Sequence, residues 1–121
     1  MPNDGLTIKK GWEFDLIFRT GLRAQGELVR LLFLRGMGTD PRSGYVAGKR
    51  QGKAHVRNRS KRVLREAFRR LRPWVCPNVI VVVSLKDNAL CAKASEVYRD
   101  MAAVLLKKGL LTSDWPGPCW R

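Results

Sequence analysis

Residues 53–72, KAHVRNRSKRVLREAFRRLR, constrain the fold more than any other stretch of the chain. They are rich in good helix formers and stop at Pro73, which predicts one long helix. At about 100° per residue, Val56, Val63, Leu64, Ala67, Phe68 and Leu71 fall in one arc, which must rest on another layer of structure. Asn58, Lys61, Arg62, Arg65, Arg69 and Arg72 fall in the opposite arc, with Arg59 and Arg70 just beyond it. Glu66 is the one acid near this stripe. Like charges at i, i+4, such as Arg57 with Lys61, Lys61 with Arg65 and Arg65 with Arg69, each cost a few tenths of a kcal/mol. Relief must come from packing beneath the helix and from an external polyanion. A merely solvated face normally mixes its signs, and arginine suits phosphate oxygens and exposed bases better than lysine does.

The remainder of the chain has the same bias. Its 121 residues hold 24 Lys plus Arg against 10 acids, a formal charge of +14. That balance points to RNA, DNA or an anionic surface as partner. Apolar residues make up 45% and come in blocks, which predicts a folded chain, and a length of 121 residues predicts one domain. We place that domain at residues 1–111, with an irregular tail at 112–121 where two prolines and a glycine accompany Trp115 and Trp120. No apolar run nears the roughly 20 residues of a membrane span, and the opening residues lack the apolar centre of a secretory signal. A cytoplasmic protein without membrane association is expected. Cys76, Cys91 and Cys119 are widely spaced, with no pattern for a disulfide framework or a zinc site.

Around the long helix, Trp12–Arg19 carries Phe14, Ile17 and Phe18 at helical spacing, and Gly21 closes that segment. Leu28–Leu34 is expected to be a strand buried largely on both faces, and the turn-rich residues 36–44 to join it as a hairpin to a second strand at Tyr45–Ala47. Val79–Val83 is a β-branched run suited to a central strand covered on both sides. Residues 93–108 place Val97, Met101, Val104 and Leu105 on one helical stripe. The order helix, strands, helix, strand, helix predicts an α+β domain, a two-layer sandwich of one mixed sheet carrying helices on its faces.

Candidate chemistry is sparse. A nuclease needs a general acid and base, or carboxylates gathered round a metal. The single histidine, His55, has no titratable partner at a suggestive spacing, and the acids do not cluster. No catalytic and no metal-ligating residue is assigned. Charge and size by themselves fit a small structural RNA-binding protein such as a ribosomal protein.

The stretch Arg42–Phe68, RSGYVAGKRQGKAHVRNRSKRVLREAF, resembles the signature of the bacterial ribonuclease P protein component, approximately R-x-G-x-x-V-S-K-K-x-G-x-A-V-x-R-N-x-x-K-R-x-x-R-E-x-F. Upstream, Ile8-Lys9-Lys10 and Glu13–Gly21 are similar to that family's opening, in which a lysine pair precedes a helix with two phenylalanines four apart. The resemblance covers roughly residues 8–108. Gly48 and His55 depart from the family's usual serine and valine, and Leu32 stands where some members have tyrosine. The resemblance implies a left-handed crossover in the sheet. It also implies a catalytic RNA subunit bound through Arg57, Asn58, Arg59, Lys61, Arg62, Arg65 and Arg69 of the basic helix. A cleft between that helix and the sheet would receive the single-stranded 5′ leader of precursor tRNA, with Phe14, Phe18, Lys49 and Arg50 lining it. In such an enzyme the RNA hydrolyses the phosphodiester with its own magnesium ions. The protein needs no firmly bound cofactor and no obligate protein partner.

Overall fold

The computed structural model describes residues 11–36, 42–47 and 52–117, with side chains from Asp15 onward. Three helices and four strands run in the order α1 (Gly11–Thr20), β1 (Leu22–Gln25), β2 (Val29–Arg35), β3 (Arg42–Val46), α2 (Ala54–Leu71), β4 (Val79–Leu85) and α3 (Ala94–Lys107). The sheet order is β1-β2-β4-β3. β4 pairs antiparallel with β2, Val29 opposite Leu85, and parallel with β3, Arg42 opposite Ile80. The mixed α+β sheet predicted from the element order is therefore present, and α2 supplies the crossover that two parallel neighbours require.

The expected hairpin between the second and third strands does not form. β4 lies between them, because its Val79–Val83 run is buried on both faces and a central slot satisfies both of its edges. The hairpin in this fold is β1 with β2, Ala24 opposite Leu31. β1 has only four residues, too few for a visible alternation. The expectation for Leu28–Leu34 also needs correction: Val29, Leu31 and Phe33 are buried, but Arg30 is exposed and Leu32 and Leu34 are only half-buried.

Helices cover the two faces unequally. Leu64, Ala67, Phe68 and Leu71 of α2 and Val97, Met101 and Leu105 of α3 join Val29, Leu31, Phe33, Val79, Val81, Val83 and Leu85 in the main core. On the other face Ile17 of α1 packs with Ile80 and Val82, flanked by Leu32, Leu34 and Val46. α1 closes where the Gly21 N–H bonds to the Ile17 carbonyl at 2.8 Å. A Cβ on Gly21 would lie 2.5 Å from that oxygen, so the chain can turn there only with glycine. At the far end, Trp74–Cys76 and Leu110–Thr112 bond backbone to backbone, and Trp115 packs against the main core. Cys76 is half-buried and Cys91 exposed, both free thiols; Cys119 lies outside the described residues.

One carboxylate ties α3 to the hairpin. Asp100 accepts the backbone N–H groups of Glu27 at 3.0 Å, Leu28 at 2.8 Å and Val29 at 3.0 Å, drawing the β1–β2 turn around its two oxygens. Gly26 faces the same carboxylate, with 2.5 Å between an added Cβ and either oxygen. Hydrogen bonds to a charged acceptor are worth more than neutral ones. We expect Asp100→Ala to lower stability by about 2–3 kcal/mol, read as a shift of the urea midpoint at unchanged slope. Gly26→Ala should also destabilise, and a variant pair with wild-type midpoints would show that the tether contributes nothing.

Candidate nucleic-acid interface

Two cationic surfaces emerge, on opposite sides of the sheet. The first is the outward side of α2. Its inner stripe is closed, with Leu64, Ala67, Phe68 and Leu71 each fully buried. Asn58, Arg62 and Arg69 are exposed, and Arg57, Lys61 and Arg65 half-buried. No acid occupies the first turn of α2, and its first residue is preceded by Lys53, whose side chain makes no capping bond. That end thus combines the positive pole of the helix dipole with cationic side chains.

The arginines of α2 are not equivalent. Arg65 lies over the Tyr45 ring, 5.5 Å from its centroid. Tyr45 in turn meets Phe68 edge-on at 6.4 Å and shares a 2.7 Å hydrogen bond with Ser43. Burial pushes the Tyr45 phenol above its ordinary range, opposed by the Ser43 hydrogen bond and by Arg72 and Arg65, so a neutral ring supports the guanidinium. Arg59 donates to the Leu90 carbonyl at 2.8 Å and to that of Ala92 at 3.2 Å, pinning α2 to the segment before α3. Arg69 forks onto Glu66, with 3.0 Å from its Nε, and Arg70 stands 3.9 Å from the same carboxylate. Exposed pairs of that kind contribute at most about 1 kcal/mol. Arg57, Asn58, Lys61 and Arg62 make no ion pair among the described residues.

The second surface is a cleft of about 680 Å³ on the face that α1 only partly covers. Cross-strand pairing lays its floor in two rows: Arg23, Leu32 and Val82, then Gln25, Arg30, Ser84 and Val46. Phe18 stands beside these rows and is 46% exposed, whereas its neighbour Ile17 is 1% exposed. An aromatic ring, an apolar floor and flanking arginines can take stacked bases and their phosphates together. The cleft also runs over the β1 edge to Val104, Lys107 and Lys108 of α3 and its end.

This position corrects one expectation. The cleft does not lie between α2 and the sheet, because that interface is filled by the main core; it lies on the opposite face, beside α1. Phe18 is brought into it. Phe14 belongs to α1, with a side chain beyond the described ones, and Lys49 and Arg50 lie outside the described residues. Arg23, Gln25, Arg30, Val46, Val82 and Ser84 line the cleft and were not singled out from sequence. Arg30 carried a signal, as the one charge inside the apolar run LVRLLFL; the short β1 carried none. His55 is exposed, and among the described residues no three His, Cys, Asp or Glu side chains gather as a metal site. No described helix is long and apolar enough to cross a membrane.

Comparison with known proteins agrees with this architecture. The family model Ribonuclease P matches residues 3–109. The ribonuclease P protein component of an Exiguobacterium species is 34% identical over 97 residues, 80% of this chain and 84% of that one. That of Symbiobacterium thermophilum is 42% identical over 74 residues, 61% of this chain, and the match spans 64% of the relative's length. Among solved structures, the ribonuclease P protein from Thermotoga maritima superposes with a TM-score of 0.75 at 27% identity, covering 84% of this chain and 96% of that one. The Staphylococcus aureus protein, at 20% identity, shares the fold with a TM-score of 0.75 over 88% of this chain and 98% of that one. With 107 consecutive positions (3–109) under one family model, a basic α2 in the signature block and the matching sheet, the chain belongs to the ribonuclease P protein family.

Proposed function

We propose that this chain is the protein subunit of ribonuclease P, acting in endonucleolytic 5′ maturation of tRNA. α2 binds the catalytic RNA through Arg57, Asn58, Lys61, Arg62 and Arg65, while the cleft beside α1 holds the single-stranded 5′ leader of precursor tRNA. The observation that carries this reading is the presence of two cationic surfaces back to back across one sheet, of which only one has an aromatic wall and an apolar floor. A duplex-rich RNA needs phosphate contacts alone, whereas an unpaired strand also offers base faces. The family match favours this role over a small ribosomal protein.

Within this role the protein neutralises phosphates that would otherwise repel one another as two RNAs approach. Hydrolysis falls to magnesium ions held by the RNA. Arg59 and Arg69 have a second part, fixing α2 through Leu90, Ala92 and Glu66. By resemblance, Lys49 and Arg50 add charge and Phe14 a second ring at the leader site.

Reconstitution with a cognate catalytic RNA and precursor tRNA tests the proposal: added protein should raise 5′ processing at low magnesium, and no gain would overturn it. Arg62→Ala should weaken binding to the catalytic RNA and flatten its salt dependence by roughly 0.7–0.9 units of slope for each phosphate that the variant no longer neutralises, with an unchanged melting temperature. Arg65→Ala should do the same and also lower stability by about 0.5–1 kcal/mol as the stack on Tyr45 disappears. An unaltered slope in both would remove this side of α2 from the interface.

A further inference from the structure

The cleft does not end where the sheet ends. Its lining passes from Leu32, Val82 and Val46 to Arg23 and Arg30, and then across the β1 edge to Lys107 and Lys108 at the end of α3, with no acidic side chain among the lining residues. None of these four cations is ion-paired among the described residues. Two tethers fix their spacing. Asp100, midway along α3, holds the helix to the β1–β2 turn, and just past its C-terminal end Arg35 of β2 donates to the Lys108 carbonyl at 3.1 Å and to that of Gly109 at 3.5 Å. Hairpin and helix end therefore present their charges as one unit.

We infer that Lys107 and Lys108, with Arg23 and Arg30, form a second phosphate-binding segment that takes the part of a single strand emerging from the sheet face. The inference rests on the proposed function, and it assigns a direction to the strand. α2 packs on β3 and β4, whereas α3 packs on β2. Leader nucleotides next to the cleavage site, where the catalytic RNA is bound, lie on the β3 side. Nucleotides farther upstream leave over β1. Three inter-strand spacings are only about 14 Å, so the sheet face accommodates a few nucleotides and the next phosphates meet the lysines. At Lys107 and Lys108 the phosphates are bound through charge alone, since these exposed lysines bring no ring and no apolar floor. This segment should therefore be indifferent to base identity and sensitive to salt.

The test is a series of precursor tRNAs whose leaders lengthen one nucleotide at a time, bound by the reconstituted holoenzyme carrying wild-type protein, Lys107→Ala/Lys108→Ala or Phe18→Ala. Wild-type affinity should keep rising after the sheet face is filled. The double variant should match it for short leaders, lose the later gain, and show a salt slope for long leaders lower by about 1.4, at roughly 0.7 for each single-strand phosphate left without its lysine. Phe18→Ala should already bind more weakly at short leaders. Coincident curves for the double variant and wild type, with Phe18→Ala impaired, would overturn the extension and leave the cleft reading intact. Losses that are equal for all leaders and for mature tRNA would also overturn it, placing the lysines on another RNA surface. If Phe18→Ala and the wild type are alike and neither responds to leader length, the leader reading itself fails.

Discussion

Burial of β4 on both faces is the constraint from which the rest follows. Its run of β-branched residues needs a partner strand on each edge and a covering layer above and below. β2 and β3 take the edges, one antiparallel and one parallel, and the parallel pairing obliges the chain to cross over between β3 and β4. α2 is that crossover. The basic helix is therefore the connection without which the sheet cannot close around its centre.

Magnitudes explain why a helix so charged is stable in this position. Three like-charge pairs at i, i+4 cost together about 1 kcal/mol. Burying Leu64, Phe68 and Leu71 returns roughly 1.5–3 kcal/mol for each side chain, and the repulsion is overcome several times over. The molecule then divides its arginines by task. Arg59 and Arg35 bond to carbonyls that terminate neighbouring segments, Arg65 is supported by the neutral Tyr45 ring, and Arg62 is left outward. Because α2 and α3 occupy one face and the short α1 only part of the other, a strip of sheet stays open. The strip has Phe18 beside it and arginines within it.

The parts legible from sequence were those governed by local period. α2, α3 and β4 each carry a long, consistent pattern, and the observed bounds agree with the predicted ones to within one or two residues. Strand order was not legible, since Leu28–Leu34 and Tyr45–Ala47 look like hairpin partners until β4, some thirty residues later, competes for the same edges and wins. The cleft was hidden for the same reason. Its floor is made of alternate residues from four strands, and Val46, Val82 and Arg30 become neighbours only once the register is known. Gly21 and Gly26 illustrate the boundary: the first could be identified as a helix stop, whereas the role of the second depends on Asp100, 74 positions away.

The central claim is that the two faces of one sheet serve two different RNAs. A photoreactive group attached to a single cysteine, with Cys76, Cys91 and Cys119 replaced, reports on this directly. The attachment sites are Asn58→Cys on the outward side of α2 and Gln25→Cys in the cleft. In the complex with precursor tRNA, the first probe should cross-link to the catalytic RNA and the second to the 5′ leader. Cross-links from both positions to the same RNA strand, or with the two targets exchanged, would contradict the account.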